Sequence, residues 1–364
     1  MIAKFTDVFS DETKHGKKIQ TSDYLKLGKY PIIDQGQDQI AGYTNEKDGV
    51  FTEVPAIIFG DHTRIIKYID TPFFLGADGV KLLKCKIHSA DYKYLYYYLQ
   101  SIKIPNTGYN RHFKWLKESN ILLPSLDKQH QIAAVLDKVS DLIAKRRQQL
   151  DKLDEIVKAR FVEMFGDVIQ NTKLWPQYVF SDITTSRLGK MLDAKQQTGM
   201  CQYPYLANFN VQWFQFELNN LNKMDFNEAD RIEFELRDGD LLVCEGGEIG
   251  RCAVWHNEIQ PCYFQKALHR VRCKEKIILP DYLAWWFKYN CDNKGFAEIE
   301  GAKATISHLP GAKLKTLLVS VPPIEQQRLF TAFVKQINKS KLTIQRSCDK
   351  LEVLKKALMQ RYFG

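Results

Sequence analysis

The sequence predicts an α+β fold with an internal duplication: two mixed α/β domains joined by two long helices that pair as an antiparallel coiled coil. A repeat within the chain is the first observation behind this prediction. Residues 123–166 align without a gap with residues 321–364. The identical pairs are Pro124/Pro322, Gln129/Gln327, Ala134/Ala332, 151–153/349–351, 158–159/356–357 and 165–166/363–364. Repeats of this kind indicate a duplicated structural unit.

Each repeated segment begins and ends with residues that are typical of the ends of a long helix. It starts at a proline, contains no proline or glycine in its interior, and ends at Gly166 or Gly364. Apolar residues recur at a spacing of four and three along both segments, which is typical of a helix that packs along a coiled-coil seam. The predicted seam residues are Ile132, Leu136, Val139, Ile143, Leu150 and Leu153 in the first copy, and Phe330, Val334, Ile337, Ile344 and Leu351 in the second. Each stripe is imperfect, so we expect the two helices to bury their stripes against one another.

The segments that precede the helices also correspond, in the same order along the chain. Phe5 corresponds to Phe180, residues 30–31 to 203–204, residues 84–86 to 272–274, and residues 112–113 to 308–309. Short β-rich runs lie at 56–59, 80–83, 241–243 and 252–255, and helical segments are expected near 91–101 and 281–290. The predicted division is a first domain at 1–122, a long helix at 123–166, a second domain at 167–320 and a second long helix at 321–364. The first domain is the shorter of the two.

Composition and charge indicate the kind of partner, the cellular compartment and the role of the cysteines. The 364 residues carry a net charge of +9 with a pI near 8.9, which favours a polyanionic partner, although lysine-rich surfaces also serve solubility. The opening residues include no apolar stretch, and no run of about 18 apolar residues occurs, so the expected location is the cytoplasm without membrane contact. The eight cysteines form no CxxC pair. A zinc site at Cys252, Cys262, His256 and His269 has irregular spacing, and buried thiols are the better interpretation.

Several short motifs are more specific than this layout. They are Leu123-Pro-Ser-Leu126 with Gln129, the run 321–327, the strand-forming 239–243 followed by the glycine-rich 246–251, Phe165-Gly-Asp167 followed by Trp175-Pro176, and 30–36 followed by 40–43. Together with the duplication, they cover essentially the whole chain. In these features the chain resembles the specificity subunit of type I restriction-modification enzymes, which has two target recognition domains, each followed by a long helix.

The resemblance implies a function in phage defence and a set of partners. A specificity subunit reads double-stranded DNA as two short half-sites, one for each recognition domain, and the helices set the length of the unread spacer between them. Two methyltransferase subunits and motor-nuclease restriction subunits assemble on it. The resemblance places S-adenosylmethionine, ATP and magnesium on those partners and no cofactor on this chain.

The residues themselves also argue against an enzyme. The nearest match to the Asn/Asp-Pro-Pro-aromatic loop of amino methyltransferases is 321–324, which lacks the polar start and the aromatic end. The carboxylates at 274–276 and 298–303 lie near lysines, but their spacing does not suit a metal-dependent nuclease. The stretch 239–251 reads as a strand, a glycine turn and a second strand, and it lacks the spacing of a phosphate-binding loop. We therefore assign no catalytic or metal-binding residue.

DNA readout requires Arg, Lys, Asn, Gln or His on loops. The candidates in the first domain are Lys17, Lys18, Arg64, Asn110, Arg111, His112 and Lys114; those in the second are Arg187, Lys190, Asn208, Arg251, Lys266, Lys303 and His308. Each is equally compatible with an ordinary solvated surface residue, and the two histidines are also compatible with a structural role. Two other functions remain open: a standalone DNA-binding scaffold or repressor built on the same duplication, and an RNA-binding protein, for which no aromatic stacking motif is recognisable.

Overall fold

A computed structural model describes residues 1–76, 79–193, 197–297 and 308–364, and Lys303 lies outside these ranges. The helices are α1 Phe5–Val8, α2 Tyr92–Ser101, α3 Phe113–Lys117, α4 Leu126–Phe165, α5 Phe180–Ile183, α6 Glu228–Phe234, α7 Pro280–Asp292, α8 Gly311–Lys315 and α9 Ile324–Phe363. The strands of the first half are β1 Ile2–Lys4, β2 Phe9–Asp11, β3 Tyr30–Ile33, β4 Gly42–Thr44, β5 Ala56–Gly60, β6 Ile66–Ile69, β7 Phe74–Leu75, β8 Val80–Cys85 and β9 Asn120–Leu122. Those of the second half are β10 Gln177–Val179, β11 Thr184–Leu188, β12 Gln202–Leu206, β13 Val211–Gln212, β14 Gln215–Phe216, β15 Lys223–Asp225, β16 Leu241–Cys244, β17 Cys252–Val254, β18 Tyr263–Phe264, β19 Leu268–Cys273 and β20 Leu318–Ser320.

The chain forms two compact units. Unit 1 contains Met1–Gln149 and Ile344–Gly364, and unit 2 contains Leu150–Thr343. Each long helix therefore contributes residues to both units, whereas the sequence-based division assigned each helix as a whole. Both long helices have 40 residues, which corresponds to about 60 Å at 1.5 Å per residue. Their presence, the predicted strands and the duplication confirm the α+β fold class.

The two units repeat the same three sheets. In unit 1 a four-stranded sheet has the order β2-β8-β5-β6, a three-stranded sheet the order β4-β3-β7, and β1 pairs with β9. In unit 2 the corresponding orders are β11-β19-β16-β17, β15-β12-β18 and β10-β20. The equivalence extends to direction, since β3–β7 and β12–β18 are both parallel pairs within otherwise antiparallel sheets. Unit 2 has in addition the β13–β14 hairpin and α6, which lie between β12 and β16 and account for part of its greater length.

Within unit 1, the first part of α4 packs against the last part of α9 in antiparallel fashion. Ile132 and Leu136 belong to a core that also receives Met359 and Phe363, while Val139 and Ile143 further along α4 pack with Cys348 and Leu351. Arg147 Nη2 then donates to Glu352 Oε1 at 2.6 Å. The start of α4 packs with residues 359–363 of α9, and the later part of α4 contacts residues 348–352, so the two helices run in opposite directions here.

Within unit 2, the last part of α4 and the first part of α9 pack in the same antiparallel sense. Phe165 contacts Phe330 with ring centroids 5.4 Å apart, and Lys341 Nζ donates to Asp154 Oδ1 at 2.6 Å. Val334 is buried with them, and Ile337 is half-buried. The remaining predicted seam residues Leu150, Leu153, Ile344 and Leu351 are also half-buried.

A buried glutamine fixes the start of each long helix. Gln129 accepts a hydrogen bond from Asp91 N at 3.0 Å and donates one to Pro124 O at 2.9 Å. Gln327, its counterpart, accepts from Leu279 N at 2.8 Å and donates to the carbonyl oxygens of residues 277 and 322. Because a buried amide is costly to leave unpaired, these bonds explain why the repeat retains glutamine at both positions.

Candidate nucleic-acid interface

The turn between β5 and β6, residues 61–65, is held by a frame of hydrogen bonds in unit 1. Asp61 is buried, and its backbone N donates to Gly79 O at 2.7 Å. His112 N donates to Asp61 O at 2.8 Å, and Phe113 N donates to the Asp61 carboxylate at 2.8 Å. The frame therefore ties the turn to the loop that precedes α3.

The turn between β16 and β17, residues 245–251, has the same frame in unit 2. Glu245 N donates to Ala267 O at 2.9 Å, and Leu309 N donates to Glu245 O at 2.6 Å. Gly79 and Ala267 both have positive φ, at 88° and 85°. By this pattern the structural counterpart of His112 is Leu309, and the sequence-based correspondence of residues 112–113 with 308–309 is shifted by one position.

His112 is the candidate that the structure argues against most directly. Its side chain is completely buried, and its Nδ1 lies 3.0 Å from Asp61 O. A buried imidazole presents no atom to a base edge or a phosphate, so His112 is the weakest of the predicted DNA contacts. Leu309 is equally buried, which indicates that this position serves packing in both halves.

Four of the other first-domain candidates lie on the 61–65 turn, on the segment that leads into α3 and in the first turn of α3. Asn110, Arg111 and Lys114 are exposed, and Arg64 Nη1 donates to Ile104 O at 3.4 Å across the gap between turn and loop. Arg64 has a positive φ of 64°, which is uncommon for a residue with a side chain. These residues form a basic surface on unit 1.

Lys17 and Lys18 lie elsewhere in unit 1. Lys17 Nζ pairs with Glu46 Oε2 at 3.2 Å, which partly neutralises its charge. Lys18 is exposed and its backbone forms a bridge with Leu75 in β7.

In unit 2, three candidates meet around the glycine-rich turn. Asn208 Nδ2 donates to Gly246 O at 3.1 Å, Arg251 Nη2 donates to Asn208 O at 3.1 Å, and His308 forms a bridge with Gly246. His308 Nε2 lies 3.4 Å from Glu245 Oε1. The glycines allow the turn to pass close to these groups, and Gly247 has a φ of 83°.

Two of the other second-domain candidates, Arg187 and Lys190, are held by acidic neighbours. Arg187 Nη2 pairs with Glu233 Oε1 at 2.6 Å. Lys190 is only 17% exposed and donates to Asp225 O and Asp230 Oδ2, so it holds a loop and is a weak candidate for contact with DNA. Lys266 is exposed, and its backbone N donates to Lys190 O at 2.8 Å.

Three residues at these turns were not among the candidates. Tyr109 is 87% exposed and stacks on His62 in unit 1, and Phe209 is 60% exposed on the short helical turn Asn208–Asn210 in unit 2. A signal for Tyr109 was present in the sequence, because residues 102–117 contain four Lys or Arg and no Asp or Glu. Phe209 has no comparable signal, since its exposure depends on the fold.

Metal-ligand clusters and cysteine thiols are the next features of the described residues. Among them no group of three His, Cys, Asp or Glu side chains could hold a metal ion. Burial raises the pKa of the Cys244 thiol to about 11 and that of Cys262 to about 12, so neither is a thiolate nucleophile near neutral pH. None of the helices in the described ranges is both long enough and apolar enough to cross a bilayer.

Comparison with protein families decides the classification. Residues 2–155 and 173–355 match the type I restriction modification DNA specificity domain. The chain belongs to this family. The resemblance found in the sequence is thereby confirmed, and the domain covers most of both halves.

Two specificity subunits from Escherichia coli are similar in sequence to this family member. The chain is 27% identical over 146 residues to the EcoR124I/EcoR124II specificity subunit, which is 36% of this chain and 36% of that protein. It is 22% identical over 234 residues to the EcoKI specificity subunit of strain K12, which is 60% of this chain and 50% of that protein. The chain thus spans between about a third and a half of the length of these curated relatives.

Solved structures share the fold over the whole chain. The type I restriction-modification S subunit from M. genitalium has a TM-score of 0.61 at 14% identity and is matched over 100% of this chain and 96% of that one. A structure described as the basis of complex assembly and conformational transition of the type I R-M system has a TM-score of 0.53 at 14% identity, over 100% of this chain and 97% of that one. Identities this low support the fold alone.

Proposed function

We propose that this chain is the non-catalytic DNA specificity subunit of a type I restriction-modification complex and that it reads a bipartite target, one half-site for each recognition domain. The observation that carries the proposal is the double match to the specificity domain, at 2–155 and 173–355, together with the repetition of the same three sheets in two units. Two copies of one recognition fold, each with its own exposed turn, suit a target made of two short sequences.

The long helices are proposed to act as the ruler that sets the spacer between the half-sites. Support comes from their 40-residue length and from the lack of proline and glycine within them. A continuous helix resists bending and fixes the distance between the elements at its ends. We retain 1–122 and 167–320 as the recognition domains, with 123–166 and 321–364 as the helical segments.

Two methyltransferase subunits and motor-nuclease restriction subunits are the proposed partners, and S-adenosylmethionine, ATP and magnesium would be bound by them. Apolar side chains exposed on the long helices support a protein partner there: Val135 and Leu142 on α4 are spaced by one heptad, and Val353 on α9 is 70% exposed. Isolated exposed apolar residues are common, but a spaced set on one helix suits a packing partner. With chromosomal and phage DNA as the substrate, the cytoplasm is the proposed compartment.

Co-expression tests the proposal. The full chain, co-expressed with a type I methyltransferase subunit of its host, should co-purify with that subunit. Sequencing of methylated adenines in the host should reveal one bipartite motif that disappears when this gene is deleted. The purified chain alone should turn over no S-adenosylmethionine. A chain that binds DNA specifically but recruits no methyltransferase would instead be a standalone scaffold or repressor, and methylation by the isolated chain would contradict the non-catalytic role.

A further inference from the structure

We propose that Tyr109 is a base-contacting, specificity-determining residue of the first recognition domain and that His62 is its positioning residue. The inference rests on the proposed function and deepens it, because it names the residue through which unit 1 meets a base of its half-site. The ligand is duplex DNA.

The first argument is the way in which Tyr109 is exposed. A tyrosine ring that is 87% exposed is usually mobile, but this one lies parallel to the His62 imidazole, with centroids 4.6 Å apart and an interplanar angle of 6°. Stacking orders the ring without burying it. The ring therefore presents most of its surface, in a defined orientation, to whatever binds this face of unit 1.

The second argument is the charge around the ring. The segment 102–117 contains four Lys or Arg residues and no Asp or Glu, and Arg64 of the 61–65 turn donates to Ile104 O within this segment. The exposed Arg111 is two residues from Tyr109. In a duplex the base faces are stacked on one another, so an ordered aromatic ring contacts a base at its groove edge, for example at a thymine methyl group, while neighbouring cationic side chains hold phosphates.

The third argument is the cost of the local conformation. His62 Nδ1 and Arg64 Nε are buried without a hydrogen-bond partner, and Arg64 adopts a positive φ. Each such feature lowers the stability of the folded chain. Unpaired buried polar atoms and a positive φ are unfavourable, so their occurrence together at one exposed turn indicates that the turn serves a function other than stability.

The second half has an exposed aromatic beside the equivalent turn. Phe209 is 60% exposed, and the preceding Asn208 donates to Gly246 O in the 245–251 turn. Its ring has no imidazole under it among the described ring contacts, and it is a different residue from Tyr109. Two unlike half-sites require different contacting residues in the two halves. Phe209 therefore serves as the second-half position to compare with Tyr109 in the test.

The test uses the full chain in complex with its methyltransferase and a pool of DNA duplexes with randomised sequence, from which bound molecules are sequenced. Tyr109→Ala should lower the preference for the first half-site at one base position by about tenfold and leave the second half-site unchanged. Tyr109→Phe, which keeps the ring, should stay within about twofold. Phe209→Ala should affect the second half-site only. Leu27→Ala, which removes another apolar side chain that is 83% exposed in unit 1, should change neither.

Salt dependence separates base contact from phosphate contact. Arg111→Ala should weaken all sequences alike and reduce the salt slope of binding by about one, whereas Tyr109→Ala should leave that slope unchanged. If wild-type complex enriches a bipartite motif and Tyr109→Ala enriches the same motif with equal preference, the inference is wrong and the proposed function stands. If Tyr109→Ala weakens every sequence alike, or if only a single-stranded pool is enriched, base contact in duplex DNA is also contradicted. If wild-type complex enriches nothing, both the proposed function and this inference fail.

Discussion

The turns at 61–65 and 245–251 share one backbone frame but carry different side chains. In both, a buried acidic residue, Asp61 or Glu245, receives a backbone hydrogen bond from the segment leading into a short helix and donates one to a residue with positive φ. The first turn presents His62 and Arg64, while the second is rich in glycine. The comparison shows that the duplicated fold keeps the hydrogen bonds that hold the turn and leaves its tip free to vary.

Under the proposed function, this division lets one fold read two unlike sequences. Backbone hydrogen bonds do not depend on side-chain identity, so substitutions at the tip do not disturb the frame. We expect the contacts that carry sequence information to be made by side chains at or beside the turns, such as Tyr109, Asn208 and His308. Changes that alter the spacing of the two halves, the packing of each half, or the charge near one turn should therefore have separable effects.

The largest expected effect comes from changing the helices between the halves. Both helices contribute to both units, with the boundaries at 149/150 and 343/344. An insertion in α4 alone would put the α4–α9 pairing of one unit out of register with that of the other, so both helices have to be lengthened. Four residues inserted at both boundaries would lengthen the pair by about 6 Å and displace the apolar stripes by about 40°. We expect both half-sites to keep their sequences and the spacer to grow by about one or two base pairs, at about 3.4 Å each, as read by methylome sequencing.

Two residues inserted at the same boundaries are the control. They turn each stripe by about 200°, so the seam can no longer pair and methylation should be lost. A stable four-residue variant with an unchanged spacer would show that the helices are not the ruler.

Packing at the helix ends should differ between the halves, although the repeat places phenylalanine at both. Phe165 is fully buried against Tyr282 and Phe330, at 4.9 Å and 5.4 Å. Its counterpart Phe363 is half-buried against Tyr94 and lines an open cleft. Phe165→Ala should lower the free energy of unfolding of unit 2 by about 3–5 kcal/mol, and Phe363→Ala should lower that of unit 1 by about half as much. Hydrogen exchange measured on each unit checks this. As a control, Val162→Ala, at an exposed position, should change the free energy of unfolding of each unit by less than about 0.5 kcal/mol.

Equal losses at Phe165 and Phe363 would mean that burial does not distinguish the two ends of the repeat. The sequence could not have made this distinction. The sequence has phenylalanine at both positions. The burial of each phenylalanine is decided by the residues around it, which are the aromatic residues of α7 in the second half and the tyrosines of α2 in the first.

A smaller, pH-dependent difference is expected at the four-stranded sheets. Burial lowers the pKa of His269, whose Nε2 lies 3.2 Å from Leu309 O and near Glu245, with His308 and Lys315 also facing it. Because the unfolded chain binds the proton more readily, stability is retained above about pH 6.5 and falls as the pH drops below that value. His269→Gln should flatten this decline in unit 2. The counterpart of His269 in β8 is Lys81, and Lys81→Gln should leave the loss of stability below about pH 6.5 unchanged. The free energy of unfolding of each variant, measured across about pH 5–7, tests this difference.

Much of the fold could be predicted from the sequence because periodicity and repeats are local signals. The long helices and the strands at 56–59, 80–83, 241–243 and 252–255 are all present. The interface was harder, since exposure depends on residues distant in sequence. His112 is buried through its contact with Asp61, and Lys190 is held by Asp225 and Asp230. Residue type alone gave no indication of either contact.

The central claim is that each half reads its own half-site independently of the other. Exchange of residues 167–320 for the equivalent domain of a related subunit, followed by sequencing of methylated adenines in the host, tests it most directly. The account predicts a hybrid motif in which one half-site is replaced and the other half-site and the spacer are retained. A motif in which both half-sites change together would contradict independent readout by the two domains.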